Sequence, residues 1–443
     1  MKGVNMMRNE YPRGSLVASY LQKYIPGGSH AYSKSVNQWP ELSPKVLSHG
    51  EGATVWDMDG NSYIDWFTGL STVSLGHAYQ PVIERVYEQM KRGINFQLPT
   101  KIEYEAAKYF TEEVAKADMV KFSKDGSTAN DAAIRLARAY TGKKYIAKCS
   151  QHPFFSYSDW FIGHTQYNRG ILEEAKKYTL NFNYNDISSL EEIFLRYPND
   201  ISAVILEPVR FDKPNEGFLE NVRKLCDRYS TILIFDEVVT GLKYHINGAQ
   251  ALFSIKPDLT TWGKGIANGF PLSALTGKRE IMELGDTVKN TEGVFLLSTT
   301  HGGESSSLVA MMATVEEFIK GDLIGKNYIT GKLLKDALAE VIKLYNLDNY
   351  IVPIGYDCFW SINFLNENME ICKKYRTLFM QELISNGILF RGIFYPTISH
   401  GKSDIEITKY AFERACIKYK KALEYGIDQY LIGQKVDSIL QKK

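Results

Sequence analysis

The middle of the chain alternates between short apolar runs and amphipathic segments. Each apolar run is four to six residues long and ends at a polar residue or a turn, which is typical of a buried strand. The runs are Met119–Ser123, Tyr145–Cys149, Ile201–Leu206, Thr231–Phe235 and Leu259–Trp262. Between them, residues 129–142 and 217–229 carry apolar side chains at the spacing of one helix face. This alternation over residues 119–275 predicts an α/β fold with a doubly wound, mostly parallel sheet.

Helical patterns also occur outside this region. They cover residues 15–24, 81–94, 101–117 and 306–319. The turn residues Asp59-Gly60-Asn61 interrupt an alternating segment over residues 50–66, and such a turn predicts a β-hairpin. Residues 294–304 (VFLLSTTHGGE) form a further strand-like run that breaks into small and polar residues.

The pattern changes from about residue 325 onwards. Short predicted strands are mixed there with helices, which indicates a separate, smaller α+β domain. The predicted helices are residues 332–345, 376–386 and 404–424, and the predicted strands are residues 350–356, 359–364 and 387–395. A chain of 443 residues is too long for one ordinary core, so two domains are expected.

Charge and cysteine usage exclude several classes of protein. The formal net charge is +1, which gives no indication of a nucleic-acid or membrane surface. The five cysteines are odd in number, widely spaced and without a C-x-x-C pair, so we expect no metal cluster or disulfide framework and a reducing compartment. The first 14 residues contain no apolar region of signal-peptide length, and no apolar stretch is long enough to span a membrane. A cytoplasmic location is expected.

The candidate chemistry depends first on Asp236 and Lys264. Asp236 ends a predicted buried strand, where α/β sheets bind ligands, and Lys264 lies between two glycines. A lysine amine can form a Schiff base with pyridoxal phosphate (PLP), and a carboxylate can keep the pyridine nitrogen protonated. The two residues taken alone leave a second interpretation open, in which a core-edge aspartate and a surface lysine never meet.

Further polar and aromatic residues follow the ends of other predicted strands. Residues 124–128 (KDGST) join a strand to a helix N-terminus, which can bind an anion such as a phosphate, although helix capping alone also explains Ser127 and Thr128. Phe154 and Phe155 follow another strand and could stack on a flat ring or belong to the core. Glu207 follows Leu206 directly. The segment GKGIANG is not G-x-G-x-x-G, so a dinucleotide site is not supported.

Several motifs in order resemble one family. They are PGG at 26–28, DGNSYIDW at 59–66, LGH at 75–77, GSTANDAAIRLARAYTG at 126–142, ILEP at 205–208, GFLENVRKLCDRYSTILIFDEVVTG at 217–241 and GKGIANGFPLSAL at 263–275. With them the chain resembles the class III (ω-type) aminotransferases, PLP enzymes of fold type I, and within them the branch of glutamate-1-semialdehyde aminomutase. The resemblance implies a large, mostly parallel, seven-stranded-type sheet domain over residues 56–324. It also implies a smaller domain made from residues 1–55 and 325–443.

The resemblance implies a role for individual residues. Lys264 would form the Schiff base and move the proton, and Asp236 would pair with the pyridine nitrogen. The implied cofactor-binding residues are Gly126, Ser127, Thr128, Phe154, Phe155, Glu207, Asp236, Val238, Lys264 and Thr300. Thr300 would reach the phosphate of a partner subunit, because family members form dimers with shared active sites. No metal ligand is implied.

The substrate side departs from the aminomutase. The loop after PGG has Tyr32 and Lys34 but no arginine to bind a substrate carboxylate, and Arg391 is a further candidate for that role. We therefore expect an aminotransferase that moves an amino group from an amino-acid donor to a small aldehyde, ketone or keto-sugar acceptor. The aminomutase reaction, a PLP-dependent decarboxylase or racemase, and a non-catalytic dimeric binding protein on this fold are the alternatives.

Overall fold

The computed structural model describes residues 11–289 and 293–437 of the chain. Residues 1–10 and 438–443 lie outside the described residues. They include most of the first 14 residues and both ends of the predicted smaller domain. The described chain divides into two compact units. The larger unit holds residues 71–74, 80–289 and 293–324, and the smaller unit holds residues 11–70, 75–79 and 325–437. Every helix in the described residues is too short or too polar to cross a lipid bilayer.

The described residues form short strands and helices of widely differing length. The strands are β1 Leu47–Glu51, β2 Thr54–Asp57, β3 Ser62–Asp65, β4 Met119–Ser123, β5 Tyr145–Cys149, β6 Thr179–Phe182, β7 Ile201–Leu206, β8 Ile232–Glu237, β9 Leu259–Trp262, β10 Ser273–Gly277, β11 Ile351–Tyr356, β12 Phe359–Phe364, β13 Ile388–Leu389 and β14 Ile393–Phe394. The helices are α1 Pro12–Tyr24, α2 Thr68–Ser71, α3 Gln80–Met90, α4 Lys101–Tyr109, α5 Gly126–Thr141, α6 Asp159–Ile162, α7 Glu173–Lys177, α8 Ile187–Arg196, α9 Phe218–Arg228, α10 Ala249–Leu252, α11 Arg279–Met282, α12 Ser305–Gly321, α13 Leu323–Leu344, α14 Lys373–Ser385 and α15 Lys402–Tyr425.

The larger unit is built on a seven-stranded sheet. Its strand order is β4-β10-β9-β8-β7-β5-β6, and the pairs β9–β8, β8–β7, β7–β5 and β5–β6 are parallel. Only β10 runs against its neighbours, β4 and β9. The predicted mostly parallel α/β fold is confirmed, and within this sheet β6 and β10 are the strands that the sequence pattern did not predict separately.

The two faces of this sheet are both covered. Every residue of β7 and β8 is buried. Their side chains alternate between two clusters: Ile205 and Ile234 pack in the cluster that contains the apolar face of α5, and Leu206 and Phe235 pack in the cluster that contains α9. Because both faces are apolar, the strands read as continuous hydrophobic runs, which explains why the sequence predicted them closely.

Two predicted strands are wrong. Residues 294–299 form no strand; Leu296 is instead buried in the cluster of α11, and the backbone N–H of Val294 donates to the carbonyl of Leu284 at 2.7 Å. A short apolar run signals burial but not a strand partner. Residues 387–395 form two separate two-residue strands, because the chain turns at Gly392, whose φ is 94°.

The smaller unit combines two small sheets with long helices. The sheets have the orders β1-β2-β3-β13 and β11-β12-β14, and α13, α14 and α15 contribute to one apolar core around Trp66 and Trp360. The predicted hairpin is confirmed, since β2 and β3 are antiparallel on either side of Asp59-Gly60-Asn61. The predicted boundary at residue 55 falls within β2. The unit continues to Leu70 because β2 and β3 pair with β1 and with β13.

Candidate active site

Three neighbouring strands of the larger unit end at the same edge of the sheet. Glu207 follows β7, Asp236 lies near the end of β8, and Lys264 follows β9. In the parallel pairing of β8 with β9, Asp236 lies opposite Thr261, three residues before Lys264. The carboxyl ends of parallel strands are where open α/β sheets bind their ligands. The structure therefore brings the predicted acid and the predicted lysine to one edge.

Lys264 begins a short 3₁₀ turn, Lys264–Ala267, directly after Gly263. Its φ is 50°, a left-handed conformation that is uncommon for a lysine and that points to a constrained loop. Within the described residues, its amine makes no hydrogen bond or ion pair. Burial, and then the charge of Arg210, lowers the pKa of Lys264 below its ordinary value, against the opposing charges of Glu207 and Asp236. A lysine with a lowered pKa is a better nucleophile near neutral pH.

Asp236 is 3% exposed, and its carboxylate is held at both oxygens. Oδ1 accepts a hydrogen bond from the backbone N–H of Val238 at 2.9 Å, and Oδ2 accepts one from Nδ2 of Asn130 at 2.9 Å. Burial and then the charge of Glu207 raise the pKa of Asp236. A cationic N–H next to this carboxylate would favour its ionised form.

Asn130 is a site residue that sequence reasoning missed. It is 1% exposed, and Nδ2 also donates to the carbonyl of Phe155 at 2.7 Å, while Oδ1 accepts from the hydroxyl of Thr261 at 2.7 Å. Its amide thus joins α5, β8, β9 and the segment after β5. The signal in the sequence was an asparagine among buried alanines on the apolar face of α5, since a buried polar side chain needs partners.

The N-terminus of α5 lies at the same edge of the sheet. Asp125 is its N-cap and accepts from the backbone N–H of Thr128 at 2.9 Å and from its hydroxyl at 2.8 Å. The hydroxyl of Ser127 accepts from the backbone N–H of Tyr157 at 3.2 Å. Capping is thus performed by Asp125, and the capping interpretation of Ser127 and Thr128 does not hold. Both residues lie in the first turn, where backbone N–H groups favour an anion.

Val238 connects this helix end to the lysine loop. A Cβ atom at Gly126 would lie 2.9 Å from a methyl group of Val238, and a Cβ atom at Gly263 would lie 3.2 Å from its other methyl group. Only glycine fits at 126 without a shift of Val238. The helix N-terminus and the residue before Lys264 are therefore in contact with the same side chain.

Glu207 forms a second polar group with two residues that had no predicted role. Its backbone N–H donates to Nδ1 of His152 at 3.0 Å, and its Oε1 accepts from Nη1 of Arg210 at 3.1 Å. The remaining oxygen, Oε2, is buried without a hydrogen-bond partner in the described part of the chain. Burial lowers the pKa of His152 to about 4, so its ring is neutral near pH 7 and its Nδ1 can accept.

The remaining predicted cofactor residues differ in exposure. Phe155 is 1% exposed and packs against Trp160 and Phe161, and its backbone carbonyl is the group that meets Asn130. Phe154 is 45% exposed and contacts Phe161 edge-on. Thr300 is exposed, and its carbonyl accepts from the side chain of Asn95 at 3.2 Å.

The three candidate substrate residues belong to the smaller unit. Tyr32 and Lys34 are exposed at the ends of a short 3₁₀ turn. Arg391 donates from Nη2 to Oε1 of Gln38 at 3.3 Å, and its carbonyl accepts from Arg376 at 2.8 Å. Burial and the charge of Arg376 lower the pKa of Arg391 to about 10, and within the described residues no carboxylate pairs with either guanidinium.

The residues of the larger unit fit the group that the resemblance implies. An amine without a partner, a buried carboxylate and a helix N-terminus match an aldehyde, a pyridine nitrogen and a phosphate. The described residues contain no cluster of three or more histidine, cysteine, aspartate or glutamate side chains that could hold a metal ion.

Comparison with known proteins agrees with this chemistry. The family model of class-III aminotransferases matches residues 36–400. A glutamate-1-semialdehyde 2,1-aminomutase of Caldicellulosiruptor saccharolyticus is 33% identical over 406 residues, which cover 87% of this chain and 93% of that protein. The enzyme of the same name from Francisella philomiragia is 31% identical over 432 residues, 91% of this chain and 97% of that protein.

A solved structure has the same fold. The FumI protein of Sphingopyxis sp. MTA144, in its PLP internal aldimine form, superimposes with a TM-score of 0.85 at 24% identity and covers 93% of this chain and 98% of that chain. Since the family match spans most of the sequence and the relatives match nearly end to end, the chain belongs to the class-III aminotransferase family.

Proposed function

We propose that this protein is a PLP-dependent aminotransferase that moves an amino group from an amino-acid donor to a small aldehyde, ketone or keto-sugar. One observation carries the proposal: the unpartnered amine of Lys264 lies at the same sheet edge as the buried, hydrogen-bonded carboxylate of Asp236. Val238 packs against Gly126 at the N-terminus of α5 and against Gly263, and its backbone N–H donates to Asp236. A structural ion pair would not leave the lysine amine without a hydrogen bond.

Each residue has a task in this proposal. Bound PLP supplies an aldehyde for covalent attachment and an electron-accepting ring. Lys264 would hold the group covalently, and its freed amine would take the proton from the Cα of the donor and pass it to the cofactor carbon, not back to the same Cα. Asp236 holds a positive charge on the ring nitrogen, and Asn130 and Val238 keep its carboxylate in place. Gly126, Ser127 and Thr128 hold the phosphate, with Thr300 reaching the phosphate of a second subunit.

The test is spectroscopic. Purified protein supplied with PLP is expected to show an absorbance band near the edge of the visible range, and an amino donor is expected to bleach it. Lys264→Ala is expected to lose this band while it still binds pyridoxamine phosphate, because the carboxylate and the helix N-terminus remain. A wild-type protein that never acquires the band with added PLP would contradict the proposal.

The relatives favour a second candidate. Two proteins that are 31% and 33% identical carry the name glutamate-1-semialdehyde 2,1-aminomutase, which moves an amino group within one molecule. Release of 5-aminolevulinate from glutamate 1-semialdehyde would support this candidate. Amino transfer from an amino acid to a separate carbonyl compound, without that product, supports the first.

We also propose that the protein works as a homodimer in the cytoplasm. Support for the dimer is a set of large apolar side chains of the larger unit that are about half exposed or more in the single chain: Met90, Phe96, Leu98 and Tyr104. Soluble monomers rarely leave such neighbouring apolar residues uncovered. Support for the location is the absence of disulfides among the five cysteines, four of which are buried as thiols.

A further inference from the structure

Arg210 lies in the segment after β7, three residues beyond Glu207. Two tyrosine hydroxyls fix this segment. Tyr184 donates to the carbonyl of Pro208 at 2.8 Å, and Tyr244 donates to the carbonyl of Arg210. Val209 between them is fully buried. The backbone that carries Arg210 is therefore held before any ligand arrives.

The guanidinium of Arg210 is only partly used. Its side chain is 27% exposed, and Nη1 makes a single ion pair with Oε1 of Glu207 at 3.1 Å. Within the described residues, no other hydrogen bond to this guanidinium is present. An arginine offers five N–H donors in a planar fork and stays charged. Several donors therefore remain for a ligand.

The partner of Arg210 also has an unused group. Glu207 is 1% exposed, and its Oε2 is buried without a partner in the described residues. A buried carboxylate oxygen without a hydrogen bond is costly, which points to a ligand that supplies a donor. Unused donors on Arg210 and an unused acceptor on Glu207 thus lie side by side.

This pair acts on the reacting lysine. The charge of Arg210 lowers the pKa of Lys264 and of His152, while that of Glu207 raises them, so all four groups belong to one electrostatic environment. His152 is neutral near pH 7 and does not compete for an anion. A carboxylate bound at Arg210 would therefore lie within electrostatic range of the amine that takes the substrate proton.

We infer that Arg210 is the residue that binds the carboxylate of the amino donor, with the buried Oε2 of Glu207 accepting a hydrogen bond from the same ligand. The inference rests on the proposed aminotransferase function and names its substrate class: a donor with an acidic group. The planar fork of arginine matches a carboxylate in two parallel hydrogen bonds. Arg391 with Arg376, in the smaller unit, is the competing assignment for the same role.

The experiment compares acidic donors with amines that lack the carboxylate. L-Alanine, L-glutamate and 4-aminobutyrate are mixed with the PLP-loaded protein, and so are ethylamine and propylamine. The rate at which each bleaches the cofactor band gives a preference for acids over amines. We expect Arg210→Gln to reduce this preference about 10- to 100-fold, the effect of losing hydrogen bonds to a charged group. Arg210→Lys keeps the charge but not the planar fork, so its preference for acids over amines is expected to lie between those of the wild-type protein and Arg210→Gln.

Two further variants make the result specific. Arg228→Gln changes an exposed arginine in the last turn of α9 and should keep the wild-type preference. Arg391→Gln tests the competing assignment.

The affinity for glutarate, a dicarboxylate without an amine, is measured by its effect on the band and should fall in Arg210→Gln. Thermal unfolding of each variant reports whether the unpaired Glu207 has disturbed the fold.

The outcomes separate this inference from the proposed function. A bleached band together with a preference lost in Arg210→Gln and kept in Arg391→Gln supports both. A bleached band with a preference that only Arg391→Gln removes, or with no preference in the wild-type protein, overturns the assignment to Arg210 and leaves the aminotransferase standing. If no donor bleaches a band that forms normally, the proposed function fails first.

Discussion

At the scale of single residues, the carboxylate of Asp236 belongs to a network of buried polar groups centred on Asn130. The side-chain amide of Asn130 donates from Nδ2 to Phe155 and Asp236 and accepts at Oδ1 from Thr261. Such a network fixes the carboxylate in one orientation, because any rotation would leave a buried donor or acceptor unpaired. The sequence predicted Asp236 and Lys264 from their positions but not Asn130, since nothing local in α5 shows which strands its side chain reaches.

His152 gives a prediction for acid pH. Burial holds its pKa at about 4 in the folded protein, below its ordinary value of 6.5. Between pH 6.5 and pH 4 the His152 ring is therefore protonated in the unfolded chain but neutral in the folded protein. The free energy of unfolding falls as the pH drops through this range. The loss from this residue is on the order of 3 kcal/mol at most.

His152→Asn is the variant that isolates this effect. Its side-chain oxygen can accept from the backbone N–H of Glu207 in place of Nδ1, but it does not titrate. Urea unfolding from pH 7 to pH 4 is expected to show a smaller loss of stability in the variant than in the wild-type protein. Equal losses in both would show that His152 is not the group responsible.

At the scale of elements, the ends of β7, β8 and β9 position Glu207, Asp236 and Lys264 at one edge of the sheet. The N-terminus of α5 lies at the same edge. The strands were predicted within one or two residues because central parallel strands are apolar on both faces and stop at polar residues. The short, less distinctive strands β6 and β10 had no such pattern. The predicted strand over residues 294–304 failed because its apolar residues pack on the core without pairing with another strand.

The contact between α5 and the segment after β8 can be measured with a double-mutant cycle. Gly126→Ala places a Cβ atom 2.9 Å from Val238 and is expected to lower the free energy of unfolding by about 1–3 kcal/mol and to weaken PLP binding. Val238→Ala removes both methyl groups in contact. In the double variant, the alanine at 126 should cost less than in the wild-type background.

The measurement is chemical unfolding of the four proteins, with a PLP titration of each. A coupling energy of about 0.5 kcal/mol or more is expected, since the two side chains share one contact. Strictly additive effects would mean that the helix N-terminus does not pack against Val238. Gly142→Ala is a comparison for the backbone contribution, because a Cβ atom there meets no atom within 4 Å although its φ is 69°.

At the scale of the whole molecule, the proposed dimer gives a further prediction. Leu98 is 76% exposed in the single chain, and a glutamate there would place a charge in the expected subunit interface. Leu98→Glu is expected to shift the protein from dimer to monomer in analytical ultracentrifugation and to weaken PLP binding, because Thr300 would no longer reach a neighbouring phosphate.

The matched control is Leu195→Glu, a leucine of α8 that is 73% exposed. It should leave the sedimentation coefficient unchanged. A wild-type protein that sediments as a monomer, or a Leu98→Glu protein that remains a dimer, would place the interface elsewhere or remove it.

The sequence by itself determined the class of fold, the central strands and the two residues on which the proposed chemistry depends. Buried strands and helix faces leave local patterns, and the two residues were chosen because several motifs in order resemble one family. The tertiary structure decided which polar groups meet: Asn130 on Asp236, Arg210 on Glu207, and Val238 against both Gly126 and Gly263. These contacts join residues far apart in the chain, and a local pattern carries no information about them.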